Sequence, residues 1–314
     1  MIDKLAILAI GGNSLIQDPT QPQIDHQWHS VEQAMGTVAK LITRGWQIVI
    51  THGNGPQVGY GLRRVELAQH EVHPVPIDNI VAETQGSIGY MIQNALNDAL
   101  RRVGMNRTCA TVITQIAVDA QDPAFTNPSK PIGGFMTEAV AKNYEAQGWN
   151  VMEDAGRGWR RVVPSPKPKT IIEINAIQAL MLSGYVVIAC GGGGIPVVRT
   201  PTGGLQGIEA VIDKDLASSL LARVLRADLL LISTGVEQVL LDFKKPTQRA
   251  IHTMTIQEAE NYAQEGHFAK GSMLPKIQAG IDFVRNGGPK AIITDPPNLE
   301  RALLGETGTH IIPE

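Results

Sequence analysis

The feature that most constrains the fold is a series of short, predominantly apolar segments in which the apolar residues are consecutive rather than alternating. Three of them are KLAILAI (4–10), WQIVIT (46–51) and VVIAC (186–190), and helix-like segments lie between them. A strand that is apolar on both sides must be covered on both sides, which is typical of a parallel sheet flanked by helices. The sequence therefore predicts an α/β protein with a mostly parallel central sheet.

The same alternation continues along the chain. Further strands are predicted over Cys109–Val118, Leu229–Ser233 and Ala291–Thr294. Helices are predicted over His29–Thr43, Tyr90–Val103, Ile171–Ser183, Asp213–Arg226, Thr255–Glu265 and Pro275–Asn286. A chain of 314 residues with this pattern forms either two ordinary domains or one large α/β domain.

Composition and charge exclude several classes of function. The formal net charge is −3, so no basic excess is present to bind a nucleic-acid backbone. No apolar segment is long enough to cross a bilayer, and the first apolar segment runs directly into a glycine turn rather than a cleavage site. Cys109 and Cys190 lie within predicted strands, as buried free thiols of a reducing compartment do. We therefore expect a cytoplasmic protein without membrane or nucleic-acid partners.

One stretch interrupts the alternation. Residues 119–169 are rich in proline, glycine and charge, and we call them the excursion. A connection of this length is usually functional or disordered, and Phe135, Trp149, Trp159 and Val162 indicate that it is at least partly folded. The excursion is predicted to act as a lid; a surface insertion without a role is the alternative.

Glycine-rich turns follow three of the predicted strands. They are Gly11-Gly12-Asn13, Gly53-Asn54-Gly55 and Gly191–Gly194. In open parallel sheets, ligands bind beyond the carboxyl ends of the strands, and glycine lets backbone N–H groups approach an anion. One such turn would be weak evidence, but three together predict a single polyanion site.

Lysines near these turns are candidates for the cations of that site. Lys214 and Lys276 each lie at the start of a predicted helix, and Lys130 lies in the excursion. Phosphoryl transfer requires that charge on the phosphate oxygens be neutralised, and a compact ammonium group suits that role. The P-loop sequence and the G-x-G-x-x-G spacing are both absent, so neither of those nucleotide folds is expected.

Longer motifs resemble those of the carbamate kinases, a branch of the amino-acid-kinase superfamily, over essentially the whole chain. The matching segments are AIGGNSLI (9–16), THGNGPQVG (51–59), TQGSIGY (84–90), VITQIAVDAQDPAF (112–125), NPSKPIG (127–133), GWRRVVPSPKP (158–168), VIACGGGGIPV (187–197), EAVIDKDLAS (209–218), GHFAKGSMLPK (266–276) and GETGTHI (305–311). The excursion is characteristic of this branch. Gly235 and Leu274 differ from the residues that many relatives carry at those positions.

The resemblance implies a role for each matching residue. The acceptor and the transferred phosphate would be bound by Gly11, Gly12, Asn13, Gly53, Asn54 and Gly55. Lys130, Lys214 and Lys276 would stabilise the phosphates, and Asp215 would orient the lysines. The adenine would be bordered by Ser233, Gly235, Val236 and Met273, and no protein ligand to a metal is implied.

The resemblance also implies a fold, a cofactor and a reaction. The fold would be one domain over residues 1–314, a three-layer open sandwich with a mainly parallel eight-stranded sheet and the excursion protruding from it. The reaction would be Mg²⁺-dependent transfer between ATP or ADP and carbamate or carbamoyl phosphate, run toward ATP synthesis in arginine or ureide metabolism by a homodimer. The alternatives are a sister kinase for another small acid of purine or ureide breakdown, and a non-catalytic homologue that binds nucleotide or carbamoyl phosphate.

Overall fold

The computed structural model describes residues 4–11, 23–153, 158–269 and 271–314. The strands, in chain order, are β1 (Lys4–Ile10), β2 (Trp46–His52), β3 (Cys109–Thr111), β4 (Gln115–Ala117), β5 (Lys130–Met136), β6 (Val151–Glu153), β7 (Trp159–Val163), β8 (Thr170–Ile171), β9 (Val186–Ile188), β10 (Ile195–Arg199), β11 (Leu205–Gly207), β12 (Leu229–Ser233), β13 (Val239–Leu241), β14 (Arg249–Ile251), β15 (Thr253–Thr255), β16 (Ala291–Thr294) and β17 (Thr309–Ile312).

The α-helices are α1 (Ile24–Thr43), α2 (Gly55–Ala68), α3 (Ile77–Arg102), α4 (Glu138–Glu145), α5 (Ile174–Leu182), α6 (Lys214–Val224), α7 (Ile256–Gln264), α8 (Met273–Arg285) and α9 (Leu299–Leu303). Short 3₁₀ turns lie at Pro123–Phe125, Gly191–Gly193 and Pro296–Asn298. In the part of the chain that is described, no helix combines the length and the apolar character that a bilayer crossing requires.

The centre of the molecule is an eight-stranded sheet in the order β15-β17-β16-β12-β1-β2-β9-β3. From β16 to β3 each strand is parallel to its neighbour, and only the β16–β17 pairing is antiparallel. The predicted α/β class with a mainly parallel sheet is therefore confirmed. Smaller sheets accompany it, in the orders β11-β10-β4-β8, β5-β7-β6 and β13-β14.

Strand β1 shows why the sheet is covered on both faces. Leu5, Ile7 and Ala9 point into one apolar core, which the helices α6 and α8 complete. Ala6, Leu8 and Ile10 alternate with them and point into a second core beneath α1 and α3. Burial of each large aliphatic side chain contributes roughly 1.5–3 kcal/mol, so neither face of the sheet can be left exposed. The result is three layers, helix, sheet and helix.

Two sequence predictions of secondary structure are wrong in detail. The predicted strand Cys109–Val118 is split into β3 in the central sheet and β4 in a different sheet. Between them the buried Gln85 side chain bonds the backbone of Thr114, accepting from its N–H at 2.8 Å and donating to its carbonyl at 3.0 Å. The predicted helix Tyr90–Val103 is only the second half of α3, because Gly86, Gly89 and buried polar residues conceal the apolar pattern of the first half.

The excursion is folded rather than a loop. It contains the β5-β7-β6 sheet and the helix α4. Ile132 and Val163 at its base pack into an apolar cluster with Val58 of α2. The contact is close: a Cβ added to Gly59 would lie 2.7 Å from the Cα of Gly133. The base of the excursion is thus fixed against the helix that follows β2.

Candidate active site

A cavity of about 720 Å³ opens where the central strands of the sheet end. Its wall includes Gly11 after β1, Gly53 after β2, Thr234 after β12 and Asp295 after β16. These four strands are adjacent and parallel, so their carboxyl ends meet at one edge. Such an edge is where open α/β sheets bind ligands.

Three lysines reach this cavity from different parts of the chain. Lys214 begins α6, Lys276 lies in the first turn of α8, and Lys130 begins β5 in the excursion. We call them, with Asp213 and Asp215, the lysine cluster. All five residues lie on the cavity wall, so the structure brings together the lysines that the sequence placed far apart.

Asp215 lies between two of the lysines. Its Oδ1 accepts a hydrogen bond from Lys214 Nζ at 2.5 Å and its Oδ2 accepts one from Lys276 Nζ at 3.0 Å. The Asp215 side chain is only 4% exposed. Burial alone would raise the pKa of Asp215, but the charges and hydrogen bonds of both lysines outweigh it and lower that pKa below its usual range. Asp215 therefore stays ionised and fixes the spacing of two ammonium groups.

For Lys214, in contrast, the surroundings on balance disfavour the charged form. Burial and the neighbouring charge of Lys276 lower its pKa, and the carboxylate of Asp215 only partly offsets them. An added anion near Lys214 would favour its charged form. Asp213 and Asp215 are both bonded by lysines and Asp295 also lies on the wall, so it is the burial of Lys214, rather than an excess of lysines, that a nearby phosphate group would offset.

The remaining lysine is held by a different carboxylate. Lys130 Nζ donates to Asp213 Oδ2 at 2.6 Å, and the Lys130 side chain is 30% exposed. Asp213 is the N-cap of α6. The excursion and the start of α6 are therefore joined by an ion pair at the cavity.

The glycine-rich turns divide into two kinds. Gly11, Gly53 and Gly55 lie on the cavity wall, whereas Gly191–Gly194 are buried beneath it. Gly191 packs against the ring of His52, and Gly192 packs against the side chain of Asn54, so that no Cβ fits at either glycine. The expectation that all three turns line one site is therefore wrong for Gly191–Gly194, which provide a floor without side chains.

Asn54 and His52 are part of this floor. Asn54 is 3% exposed and its amide Nδ2 donates to Thr84 Oγ1 at 2.8 Å, so its side chain is not on the cavity wall. His52 is fully buried, and burial lowers its pKa to about 4. The neutral ring is assigned a proton on Nδ1, which donates to the Gly53 carbonyl at 3.1 Å. Its Nε2 has no hydrogen-bond partner among the described residues.

The predicted nucleotide residues are only partly at the cavity. Gly235 lines it, but Ser233 is buried within β12, and Met273 packs against the apolar core. Val236 is half-buried and lies off the wall. Gly12 and Asn13, predicted to bind the acceptor, lie outside the described residues.

Several residues on the wall were not found from the sequence. They are Ser30, Gln33, Ala34 and Thr37 of α1, Pro56 in the first turn of α2, Gly271, Ser272 and Pro275 around the start of α8, and Thr234, Asp295, Pro296 and Pro297 after β12 and β16. The strand-end rule applied to Ala291–Thr294 would have indicated Asp295. The spacing of Ser30, Gln33 and Thr37 places them on one side of a helix, which was the available signal for that wall.

Comparison with known proteins identifies the family. Residues 4–295 match the amino acid kinase family. The chain is 51% identical over 313 residues to the carbamate kinase-like protein YahI of Escherichia coli, covering 98% of this chain and 99% of that protein. It is 46% identical over 310 residues to a carbamate kinase of Pyrococcus horikoshii, covering 98% of each.

A solved structure agrees with these matches. The carbamate kinase from Giardia lamblia bound to AMP-PNP superposes with a TM-score of 0.92 at 40% identity, covering 100% of this chain and 99% of that one. Fold and sequence therefore agree over nearly the whole length, and the chain belongs to the amino acid kinase family, within its carbamate kinase branch.

Proposed function

We propose that this protein is a carbamate kinase that transfers a phosphoryl group reversibly between ATP and carbamate. The observation that carries the proposal is the lysine cluster on the wall of one cavity, where Asp215 bonds Lys214 and Lys276 while Lys130 joins from the excursion. The relative from Pyrococcus horikoshii is named a carbamate kinase, and the Giardia enzyme of that name is bound to AMP-PNP.

In the direction of ATP synthesis, a terminal phosphate oxygen of ADP attacks the phosphorus of carbamoyl phosphate. The bond between phosphorus and the carbamate oxygen breaks, and carbamate leaves as an anion that then takes up a proton from water and decomposes to ammonia and carbon dioxide. The nucleophile is already ionised, so no general base is required, and catalysis rests on positioning and charge neutralisation. The lysine cluster supplies the charge. The N–H groups of Gly11 and Gly53 already donate to the carbonyls of Ser233 and Ile10, so the first turn of α2, which begins at Gly55, supplies the backbone N–H groups that orient the acceptor. Because carbamoyl phosphate is a mixed anhydride, we expect this direction to be the physiological one.

Mg²⁺ is proposed as the cofactor. Among the described residues no group of three or more histidine, cysteine, aspartate or glutamate side chains could hold a metal. Asp213 and Asp215 are already bonded by lysines. The residues present therefore fit a Mg²⁺ ion that enters with the nucleotide, held by phosphate oxygens and water, where it would neutralise phosphate charge.

The first experiment measures ATP formation from ADP and carbamoyl phosphate in a luciferase-coupled assay with Mg²⁺. We expect turnover by the wild-type protein and its loss on chelation of the metal. A protein that binds both ligands but forms no ATP would instead be the non-catalytic homologue considered above.

The acceptor is proposed to be small and to lack a second carboxylate. No arginine lies among the described residues of the cavity wall, whereas a second carboxylate is normally met by a bidentate arginine. We expect use of carbamoyl phosphate, weak use of acetyl phosphate, and no use of N-acetylglutamate, aspartate or UMP. A preference of about tenfold in kcat/KM for one of the larger acceptors, or about 1.4 kcal/mol, would favour a sister kinase instead.

We propose that residues 1–314 form a single domain and that the excursion acts as a lid on it. It carries Lys130, which bonds Asp213 on the cavity wall, so opening of the excursion would break the lysine cluster and closure would restore it, as with lids in other enzymes. Limited proteolysis within residues 119–169 should slow when Mg²⁺ and nucleotide are bound. Equal rates of cleavage with and without saturating ligand would contradict a lid.

The assembly and location follow from family membership and are likewise proposals. We expect a cytoplasmic homodimer that serves arginine or ureide metabolism. Size-exclusion chromatography coupled to light scattering measures the mass of the assembly, and a monomer at micromolar concentration would contradict the dimer.

A further inference from the structure

Asp213 uses its two carboxylate oxygens for two different purposes. Oδ1 accepts hydrogen bonds from the backbone N–H groups of Asp215 at 2.9 Å and Leu216 at 3.4 Å, which caps α6. Oδ2 accepts from Lys130 Nζ at 2.6 Å. One side chain therefore joins the first turn of α6 to the first residue of β5.

The two aspartates of the lysine cluster divide the lysines between them. Asp215 bonds Lys214 and Lys276, the two that belong to helices packed on the central sheet. Asp213 bonds Lys130, the one that belongs to the excursion. Without a carboxylate partner, Lys130 would be repelled by two ammonium groups on the same wall.

We propose that Asp213 is a positioning residue that holds Lys130 at the cavity for phosphoryl transfer. A lysine ammonium has three N–H donors, so Asp213 can occupy one while the others remain for phosphate oxygens. The inference rests on the proposed kinase function, because it assigns Asp213 a part in that same reaction.

Asn at this position separates the two uses of the side chain. Asn caps helices about as well as Asp, so Asp213→Asn retains the cap but removes the charge that attracts Lys130. Asp213→Ala removes both. Lys130→Ala and the double variant with Asp213→Asn complete a thermodynamic cycle, which isolates the interaction between the two side chains.

The first measurement is ATP formation from ADP and carbamoyl phosphate by these variants. We expect Asp213→Asn to lower kcat by about tenfold or more. KM for ADP should change by less than about threefold in either direction. In the Lys130→Ala background the same change should alter kcat by less than about twofold. Only Asp213→Ala should lower Tm, because it alone loses the cap.

The second measurement does not depend on enzyme activity. Pulse labelling with acetic anhydride and mass spectrometry compares the reactivity of Lys130 with that of Lys142, an exposed lysine of the excursion. We expect Asp213→Asn to raise the relative labelling of Lys130 several-fold, because its ion pair is lost.

Each outcome has a distinct meaning. Absence of ATP formation by the wild-type protein would refute the kinase function, while unchanged labelling of Lys130 in Asp213→Asn would refute the positioning role by itself. An unchanged kcat in Asp213→Asn, or an equal loss in both backgrounds of the cycle, would also overturn it.

Discussion

The lysines on the body of the protein and the lysine on the excursion are held in different ways. Lys214 and Lys276 have side chains that are 9% and 13% exposed, and they share the buried carboxylate of Asp215. Lys130 is 30% exposed and pairs with the capping residue of α6. Positive charge therefore reaches the site from two parts of the molecule. Lys214 and Lys276 belong to the folded core, and Lys130 belongs to the separate small sheet of the excursion. Substitutions around Lys214 and Lys276 should therefore lower both stability and turnover, whereas substitution of Lys130 should lower turnover with a smaller effect on stability.

The largest expected effect is that of Asp215→Ala. The change leaves Lys214 and Lys276 close together without a carboxylate, and loss of one partner from a buried pair costs about 3–5 kcal/mol. Turnover should also fall by about 10² or more, because the spacing of the ammonium groups is lost. Urea unfolding and the ATP assay measure the two effects.

A matched control for Asp215→Ala is Asp98→Ala, which breaks the exposed ion pair with Arg101. Exposed pairs contribute about 0–1 kcal/mol, so little change is expected there. If Asp215→Ala and Asp98→Ala had the same free energy of unfolding, the expected coupling between core stability and the lysine cluster would be disproved.

Lys130→Ala should separate turnover from stability. We expect kcat to fall by about 10², or about 2.7 kcal/mol in transition-state energy. The free energy of unfolding should change by less than in Asp215→Ala, because Asp213 keeps its backbone hydrogen bonds at the start of α6 and the removed lysine is itself 30% exposed. Lys142→Ala, on an exposed lysine of the same excursion, is the control for nonspecific effects. A loss of stability as large as that of Asp215→Ala would remove the contrast between the two regions.

Gly59→Ala tests whether the seating of the excursion matters for the position of Lys130. The new methyl group would lie 2.7 Å from the Cα of Gly133, so β5 must shift. Overpacking of this kind costs roughly 1–3 kcal/mol, and kcat should fall with it. Gly86→Ala in α3 is the control, since a Cβ there contacts nothing within 4 Å. Unchanged kcat in Gly59→Ala would mean that Lys130 tolerates movement of its strand.

The smallest expected effect is on the pH dependence of stability, and it comes from His52 in the floor of the cavity. The pKa of His52 is about 4 in the folded protein and 6.5 as the ordinary value, so the unfolded chain binds the proton more readily. Stability is therefore lost as pH falls below 6.5, by about 1 kcal/mol at pH 5.5. In His52→Asn, whose amide can still donate to Gly53, this part of the pH dependence should vanish. Parallel plots of unfolding free energy against pH for the two proteins would contradict it.

Much of the fold was predictable because its strands are apolar on both faces. Strand β1 shows the reason, since alternate residues of Lys4–Ile10 enter different cores. The segment with Arg63 and Arg64 is helix-like in sequence, but the bounds of helix α2 were not predicted because Gly55, Gly59 and Gly61 lower its helix propensity; its packing against α3 and the excursion overrides that weakness. The break in Cys109–Val118 depends on Gln85, a residue distant in the sequence, and could not be read locally.

The site was predictable to a different extent. The three lysines were found because each lies beside glycine-rich segments and matches a family motif. The use of Asp213 as partner of Lys130 depends on β5 and α6 meeting in space, and no local pattern encodes that pairing. The same holds for the buried orientation of Asn54, which follows from contacts with Thr84 and Gly192.

Asp213 and Asp215 lie in the same helical turn, so all three ammonium groups are positioned relative to the start of α6. Ser218, in the next turn, bonds the Lys214 carbonyl at 2.6 Å and Thr51 of β2 at 2.6 Å, which ties α6 to the sheet. A tilt of α6 would move both carboxylates together, and would therefore change their distances to Lys130 in β5 and Lys276 in α8 at the same time. A single substitution that shifts α6 on the sheet should therefore affect both lysine–aspartate pairings, although it touches none of the charged side chains.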